Sequence, residues 1–336
     1  MPNPLKLQWV VLFLFLCPAA FAAGRVGDIE FFGYKGLDLE KVRETLPVRK
    51  GDAFTDETKA RIREAVMHQL GKEPTDVASV CCDENGDRLL FIGLPGESSE
   101  SFVYNPTPTG HARLPADIHK LSDRLDLAIE AAVKLGGDNA QEDDSNGYAL
   151  TDEPRARALE LELRAWALQH EAELLEVLRF SADVEDRRIA SEALGYGQES
   201  HAQIDALMHA ARDPDDEVRN NATRALGVLA RATPALAAKI DPDAFIAMLN
   251  SGTWTDRNKG AALLVELTAT RNPELLAKIR ARALDSLVEM ASWKRPSHAY
   301  FARMILGRVA GVPEDKLAKL AWDGPSNAIP DAVRER

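Results

Sequence analysis

The residues best placed to do chemistry fall into three small sets. Glu142, Asp144, Asn146, Gly147 and Glu153 stand at positions 1, 3, 5, 6 and 12 of an EF-hand-like loop. That spacing offers oxygen donors to calcium around a turn that glycine permits. Glu142 is longer than the Asp that usually opens such a loop, and Pro154 starts a helix at once. The same residues therefore also read as an acidic loop leading into a helix. His201, Asp205 and His209 recur every fourth residue along one side of a helix, where zinc could sit. A solvated stripe flanking Ile204, Leu207 and Met208 accounts for them equally well. The third set is defined by what is missing. There is no Gly-x-Ser-x-Gly elbow, no His-Glu-x-x-His and no Cys-x-x-Cys, and the run Gly93–Gly96 is not a phosphate loop. No catalytic residue and no cofactor is expected. A triad assembled from distant residues stays open, so the rival to a non-enzymatic reading is a hydrolase or lyase with a site between two modules. A calcium-responsive structural protein is a further rival.

Charge narrows the partners. The 336 residues carry 41 basic and 53 acidic side chains. Phosphate backbones need a net positive surface, so no nucleic-acid partner is expected. At the start of the chain Lys6 precedes an apolar stretch from Trp9 to Leu16, then Pro18 and the small residues around Ala20-Phe21-Ala22. Residues 1–22 read as a secretory signal peptide, too short in its apolar core to span a bilayer. The protein is expected to be exported, periplasmic or secreted, and not membrane-spanning. Cys81 and Cys82 are sequence neighbours. They read first as two thiols on opposite faces of a strand, with a vicinal or intermolecular disulfide as the sharper alternatives.

The elements that must position these residues differ along the chain. Over 25–95 the pattern is strand, helix, helix, strand, strand. Ile29 and Phe31 lead into the turn Gly33-Tyr34-Lys35-Gly36; Val42 and Leu46 mark a helix after Asp38. Thr55 and Thr58 open a second helix with Ile62, Val66 and Leu70 on one face. Val77–Cys82, Asn85-Gly86 and Leu89–Leu94 make a hairpin. Residues 96–116, rich in Ser, Pro and Thr, read as a linker or irregular crossing. Residues 117–153 hold a helix, with Leu121, Leu125, Ala128, Ala132 and Leu135 on one face, stopped by Gly136-Gly137 and followed by the acidic loop. Residues 323–336 are left as a C-terminal tail.

From 154 to 322 one phrase recurs. Its clearest copy is Asp215, Val218, Arg219, Ala222, Ala225, Leu226. Fainter copies start from Asp183/Arg187, from Arg257, and from Ala302/Ile305/Leu306. A first-helix column aligns Leu175, Leu207, Phe245 and Leu287; second-helix columns align Ala190, Ala222, Gly260 and Ala302, then Leu194, Leu226, Leu264 and Leu306. One apolar stripe per helix cannot be buried by a lone pair, so the pairs must stack. The stretch resembles the HEAT-repeat family. That resemblance implies an α-α superhelix in which Asp183, Arg187, Asp215, Arg219 and Arg257 form a ladder between repeats. The N-terminal order, with Gly33, Leu46-Pro47, Gly51 and Phe54, resembles the POTRA domain, which implies peptide capture by strand addition.

The expected fold is mainly α, a HEAT-like solenoid of about four repeats behind a small α+β module. Beside the arginine column lie Arg188, Asn220, Asn221, Arg224, Trp254, Asn258 and Lys259. These are the expected contacts to a protein or peptide partner, and the chain is expected to be a non-enzymatic binding scaffold.

Overall fold

The computed structural model describes residues 24–81, 83, 85–135 and 141–334. The stretch read as a signal peptide lies outside the described residues, as do Cys17, Cys82 and Gly136-Gly137. The described chain divides into two compact units. Residues 104–241 form a central unit. A composite unit is built from the N-terminal segment up to Val103 and the segment from Pro242 onward.

The composite unit opens with β1 (Val26–Phe32), α1 (Leu39–Thr45), α2 (Asp56–Leu70), β2 (Asp76–Val80) and β3 (Arg88–Gly93), the order read from the sequence. The sheet order is β1-β3-β2, with β1 parallel and β2 antiparallel to β3. Local signals set each boundary. Asp38 caps α1 by accepting from Lys41 N. The Thr55 N–H donates to Thr58 Oγ1 at 2.8 Å, tying off the first turn of α2. In the hairpin, Asp83 Oδ1 accepts from Asn85 N and Asp87 N, both at 2.9 Å, and Gly86 takes φ +78°. Val42, Ile62, Val66, Leu90 and Ile92 form the core between helices and sheet. Cys81 is disulfide-bonded, which replaces the expectation of two free thiols; both other cysteines lie outside the described residues.

The central unit contains α3 (Ala116–Leu135), the short hairpin β4 (Glu142–Asp143) and β5 (Leu150–Thr151), and then helices α4 (Pro154–Ala167), α5 (Glu171–Phe180), α6 (Val184–Leu194), α7 (His201–Ala210), α8 (Asp216–Ala232) and α9 (Pro234–Ala237). Pairs α5/α6 and α7/α8 are the first two repeats. α6 packs on α8, and α4 on α6, while α3 lies against α4 and α6. The composite unit resumes with α10 (Asp243–Met248) and α11 (Trp254–Leu267), the third repeat, then α12 (Pro273–Ala291) and α13 (Pro296–Val309), the fourth. α12 breaks its helical geometry at Ala283, φ −139°, so its last turns form the repeat's first helix. α14 (Glu314–Asp323) and α15 (Ala328–Arg334) pack on α13. The expected tail is therefore largely helix, with Ile329 and Val333 buried.

The repeat columns are core. Leu194, Leu226, Leu264 and Leu306 are each fully buried, and burying a leucine side chain contributes about 1.5–3 kcal/mol. Gly260 sits where a Cβ would come within 2.9 Å of Met248 Cβ, so its smallness lets α11 approach α10. The architecture is mainly α, paired-helix repeats behind a small strand-containing module, as the periodicity predicts.

Residues 96–116 are an irregular crossing rather than a free linker. In the composite unit, Glu100 N donates to Asn250 O at 2.8 Å, and Phe102 is buried. In the central unit, Asn105 N donates to Arg212 O at 2.7 Å and Gly110 N to Phe180 O at 2.8 Å; Leu114 N donates to Asp186 Oδ1 at 3.1 Å. Each contact lands at or beside a turn between the two helices of a repeat. Extended backbone here satisfies polar groups that the helix ends leave over.

Candidate binding surface

The arginine column is the frame on which any surface is hung. Arg187 Nη1 donates to Ser181 O at 3.0 Å, Arg219 Nη1 to Asp213 O at 2.8 Å, and Arg257 Nε to Ser251 O at 2.6 Å. All three close on the carbonyl six positions earlier, so each pins its own inter-helix turn. The link between repeats is made by other acceptors than expected. Arg187 grips Asp213 through a two-bond fork, Nε to Oδ2 at 2.8 Å and Nη2 to Oδ1 at 3.0 Å. Arg257 reaches Glu289 Oε2 at 3.4 Å and Ser98 O at 2.6 Å. The Arg219 guanidinium lies 4.4 Å from the Tyr104 ring centroid. Asp183 and Asp215, expected in the ladder, are N-caps instead. Asp183 accepts from Glu185 N and Asp186 N, and Asp215 from Glu217 N and Val218 N. A carboxylate two residues before helix residue N2 relieves orphan amides, and that local geometry claims it before a neighbouring repeat can.

Four of the seven expected contact residues come together in the central unit. Arg188 on α6 donates from Nη2 to Glu185 Oε1 at 2.6 Å and to Ser122 Oγ on α3 at 3.3 Å, and meets Asp126 at 3.3 Å. On α8, Asn220 Nδ2 donates to Asn221 Oδ1 at 3.2 Å, and Asn221 Nδ2 to Arg188 O at 3.4 Å. Arg224, one turn further, pairs with Glu142 of β4. Asp126 Oδ1, Glu192 Oε2 and Asn220 Oδ1 are buried atoms that meet no hydrogen-bond partner among the described residues. Buried acceptors left in this state cost about 1–3 kcal/mol each, so the face holds unspent hydrogen-bonding capacity.

The electrostatics follow from crowding carboxylates around two guanidinium groups. Burial pushes the carboxyls of Asp126 and Glu192 well above their ordinary values; the Glu185 and Asp123 charges raise Asp126 further, the Asp126 charge raises Glu192, and the Arg188 charge opposes both. Burial also lifts Glu217 up to about 7 and raises Glu160. Burial works against the charge on Arg188 and Arg224, but the hydrogen bonds that Arg188 donates to Glu185 and the Glu142 charge beside Arg224 outweigh it. The result is a face whose guanidinium groups stay charged while several carboxyls carry protons near neutrality, able both to donate and to accept.

The other three expected contacts lie in the composite unit and are buried. Trp254 is 0 % exposed, its ring 4.9 Å from Phe91 of β3, and its backbone N–H donates to Asp76 Oδ2 at 2.9 Å. Asn258 and Lys259 are each 6 % exposed. The cause is the N-terminal module, which seats on the turns of repeats three and four. Phe91 is also 4.9 Å from Trp293 and 5.1 Å from His298. Trp293 Nε1 donates to Phe31 O at 2.9 Å, and Arg295 Nε to Asp28 Oδ2 at 2.9 Å. Burial holds His298 down at about 4, neutral at physiological pH. Glu289 is the polar hub of this contact. Its carboxylate accepts from Gly33 N at 2.7 Å, Tyr34 N at 3.0 Å, Lys35 N at 3.1 Å and Ser98 Oγ at 2.5 Å. Three successive amides converge because Gly33 takes φ +72°, where a Cβ would strike Leu94 O at 2.5 Å.

The remaining expected sites have partners of their own. Glu142 pairs with Arg224 and Asp144 with Arg231, Glu153 caps α4 through Ala156 N, and Asn146 reaches only Ser145. The calcium candidates thus turn to separate partners instead of one point. His201 and Asp205 are exposed, and His209 meets Asn105. Among the described residues no group of three His, Cys, Asp or Glu side chains could hold a metal. Asp205 and His209 instead line a groove of roughly 470 Å³ between α5 and α7, with Leu175, Leu178 and Phe180. No helix among the described residues is long and apolar enough to cross a membrane.

Sequence reasoning missed Asp126, Glu192, Asp213 and Glu289. Glu192 and Arg224 occupy the same column of successive repeats with opposite charge, a swap that hints at a polar inter-repeat face. Glu289 gave no signal, since its partners are backbone amides far away in the chain. No curated protein matches the chain. Residues 171–266 match the family model described as HEAT repeats, a stretch running from α5 to α11. Helix pairing, recurrent core columns and the i−6 arginine contacts all agree with that match, and residues 171–266 are HEAT repeats within a largely helical chain.

Proposed function

We propose that this protein is an exported, non-enzymatic scaffold that captures a protein or peptide segment on the second-helix face of its first two repeats. HEAT repeats typically serve protein interaction, and the location of the face is the finer reading. One observation carries it: Arg188, Asn220, Asn221 and Arg224, from consecutive second helices, come together in one polar cluster beside Asp126 Oδ1, Glu192 Oε2 and Asn220 Oδ1, buried acceptors that meet no hydrogen-bond partner among the described residues. Side-chain amides of this kind match an extended backbone, whose N–H and C=O groups alternate. Export is supported by Lys6 and the apolar run before Ala20-Phe21-Ala22, and by the disulfide at Cys81, a bond that persists in oxidising compartments. The buried Trp254, Asn258 and Lys259 are assigned to the framework.

The test is affinity capture from an envelope fraction with immobilised full-length mature protein. The double variant Asn220→Ala/Asn221→Ala is expected to lose the captured polypeptide, while Asp205→Ala, on the opposite helices, keeps it. Capture that survives the double substitution would remove the assignment of this face.

A further inference from the structure

The acidic segment Glu142-Asp143-Asp144 is seated residue by residue on arginines of α8 and α4. Glu142 pairs with Arg224 of α8, Asp144 with Arg231 of α8, and Asp143 lies 3.7 Å from Arg157 of α4. Arg224 and Arg231 are seven positions apart, hence on one face of α8 two turns apart. We propose that these three arginines form a receptor for acidic segments of a partner polypeptide, and that the chain's own 142–144 occupies it in the resting state. The proposal rests on the scaffold reading above and names the chemistry of the partner.

Three observations support an occupant that can leave. First, the pairs run from closed to open. Side-chain exposure rises from 3 % at Glu142 through 21 % at Asp144 to 44 % at Asp143. A competitor can therefore engage the outer pairs before the inner one breaks. Second, the hairpin ladder is only two residues long, Glu142 against Thr151 and Asp143 against Leu150, and so short a pairing is marginal by itself. Third, the two strands are anchored differently. β5 is fixed by Glu160, which accepts from Thr151 N at 2.7 Å and Thr151 Oγ1 at 2.6 Å, and by buried Ala149 and Leu150. β4 is held chiefly through the arginines. It can exchange while β5 stays in place. Arginine is suited to such a site because its planar fork recognises carboxylates of many backbones alike. Tethering gives the resident segment a high effective concentration, so a free peptide competes weakly until the resident charges are removed.

The experiment uses the full mature chain and a fluorescein-labelled peptide of its own residues 141–148. A control peptide has the three acids replaced by their amides. Anisotropy titrations compare the wild type with Glu142→Gln/Asp143→Asn/Asp144→Asn. The expected result is at least tenfold tighter binding of the acidic peptide by the triple variant, lost with the amide peptide and lost again on adding Arg231→Glu. Raising salt should weaken it, as for any partly exposed ion pair. Should the triple variant fold poorly by circular dichroism, Asp143→Asn/Asp144→Asn leaves the inner pair intact and is expected to gain about threefold, on the same tethering argument. Equal affinity for both peptides, or a gain that survives Arg231→Glu, would overturn the proposal. Capture that depends on Asn221 while the acidic peptide fails to bind would end this inference alone and leave the scaffold reading standing.

Discussion

The two units carry the same repeat grammar and cover it with opposite chemistry. In the composite unit the turns of repeats three and four lie beneath a β-sheet. Phe91 fits against Trp254, Trp293 and His298, and the buried carboxylate of Glu289 is met by three amides, a hydroxyl and Arg257. In the central unit the second-helix face is covered by α3 and a two-residue hairpin through ion pairs, and several acceptors are left over. A cover built on apolar ring contacts is stabilised only while it stays closed, because opening returns that surface to water. A cover made of ion pairs trades one carboxylate for another at little net cost, because an incoming carboxylate restores what the departing one held. On this contrast the cover in the composite unit is structural, and the exchange proposed above belongs to the central unit.

The largest effect is expected from breaking the closed cover. Glu289→Ala removes the acceptor shared by Gly33, Tyr34 and Lys35 and leaves Arg257, 0 % exposed, without its buried carboxylate. Stranding a buried charge costs about 3–5 kcal/mol. Burial already pulls Arg257 down to about 10, yet it stays charged at neutral pH and meets the full penalty. Chemical denaturation should show a loss of that order. Hydrogen exchange should show the Gly33–Lys35 amides losing protection, with the amides of α8 unchanged. A mild loss, or one spread over both units, would mean that Glu289 is not the hub of the composite unit.

An intermediate effect is expected from the central unit's own ladder. Arg187→Lys keeps the charge near Asp213 but loses the fork and the bond to Ser181 O. Lysine cannot match two parallel N–H donors. A loss of about 1–3 kcal/mol is expected, the range for a buried polar group left unsatisfied. Asp213→Asn should cost a similar amount, while Asp183→Ala, an N-cap, should cost only about 1 kcal/mol. Equal losses for Asp183→Ala and Asp213→Asn would restore Asp183 to the ladder and blur the distinction between cap and inter-repeat link.

How far these differences were legible depends on the range of the interaction. The order of strands and helices over 25–95 was readable, because period-2 and period-3.6 patterns with Asp38, Thr55 and Asn85-Gly86 are local signals. The core columns were readable because repetition multiplies a weak signal: Leu194, Leu226, Leu264 and Leu306 confirm one another. The arginine column was recognised, but its acceptors were not. Spacing reveals that Arg187 recurs as Arg219 and Arg257; only three-dimensional packing reveals that Asp213 lies under the fork while Asp215 caps its own helix. Trp254 looked like an exposed recognition residue because nothing in its neighbourhood foretold a sheet from far up the chain. The acidic loop looked like a calcium loop for the complementary reason. Its carboxylates were visible in the sequence, and the guanidinium groups of Arg224 and Arg231 that claim them are more than 80 positions away.

The smallest effect is a pH dependence, and it sharpens the comparison. Burial holds Glu217 up to about 7 in the folded central unit, and it also raises Asp126 and Glu192. The folded state thus binds protons that the unfolded chain, with carboxyl values near 4, has already released. A group of this kind contributes stability that is fully present below its unfolded value and is lost as pH rises through its folded one. Glu185, Asp28 and Glu314 are shifted the other way, so their contributions change under more acidic conditions, and in the window from about pH 5 to 7.5 these three raised carboxyls are opposed in the central unit by His209, which burial lowers. Melting of the central unit, followed by exchange of α6 and α8 amides, should therefore strengthen on going from pH 7.5 to 5.5. Glu217→Gln should flatten part of that slope by removing one titrating group without removing its bulk. The composite unit sets the contrast: burial raises Glu30 there too, but it also holds His298 at about 4, so the unfolded chain takes up a proton near 6.5 that the folded unit refuses, and this contribution weakens the unit on acidification. If both units strengthen equally on acidification, the crowded carboxyls are not what distinguishes the exchangeable face from the closed one.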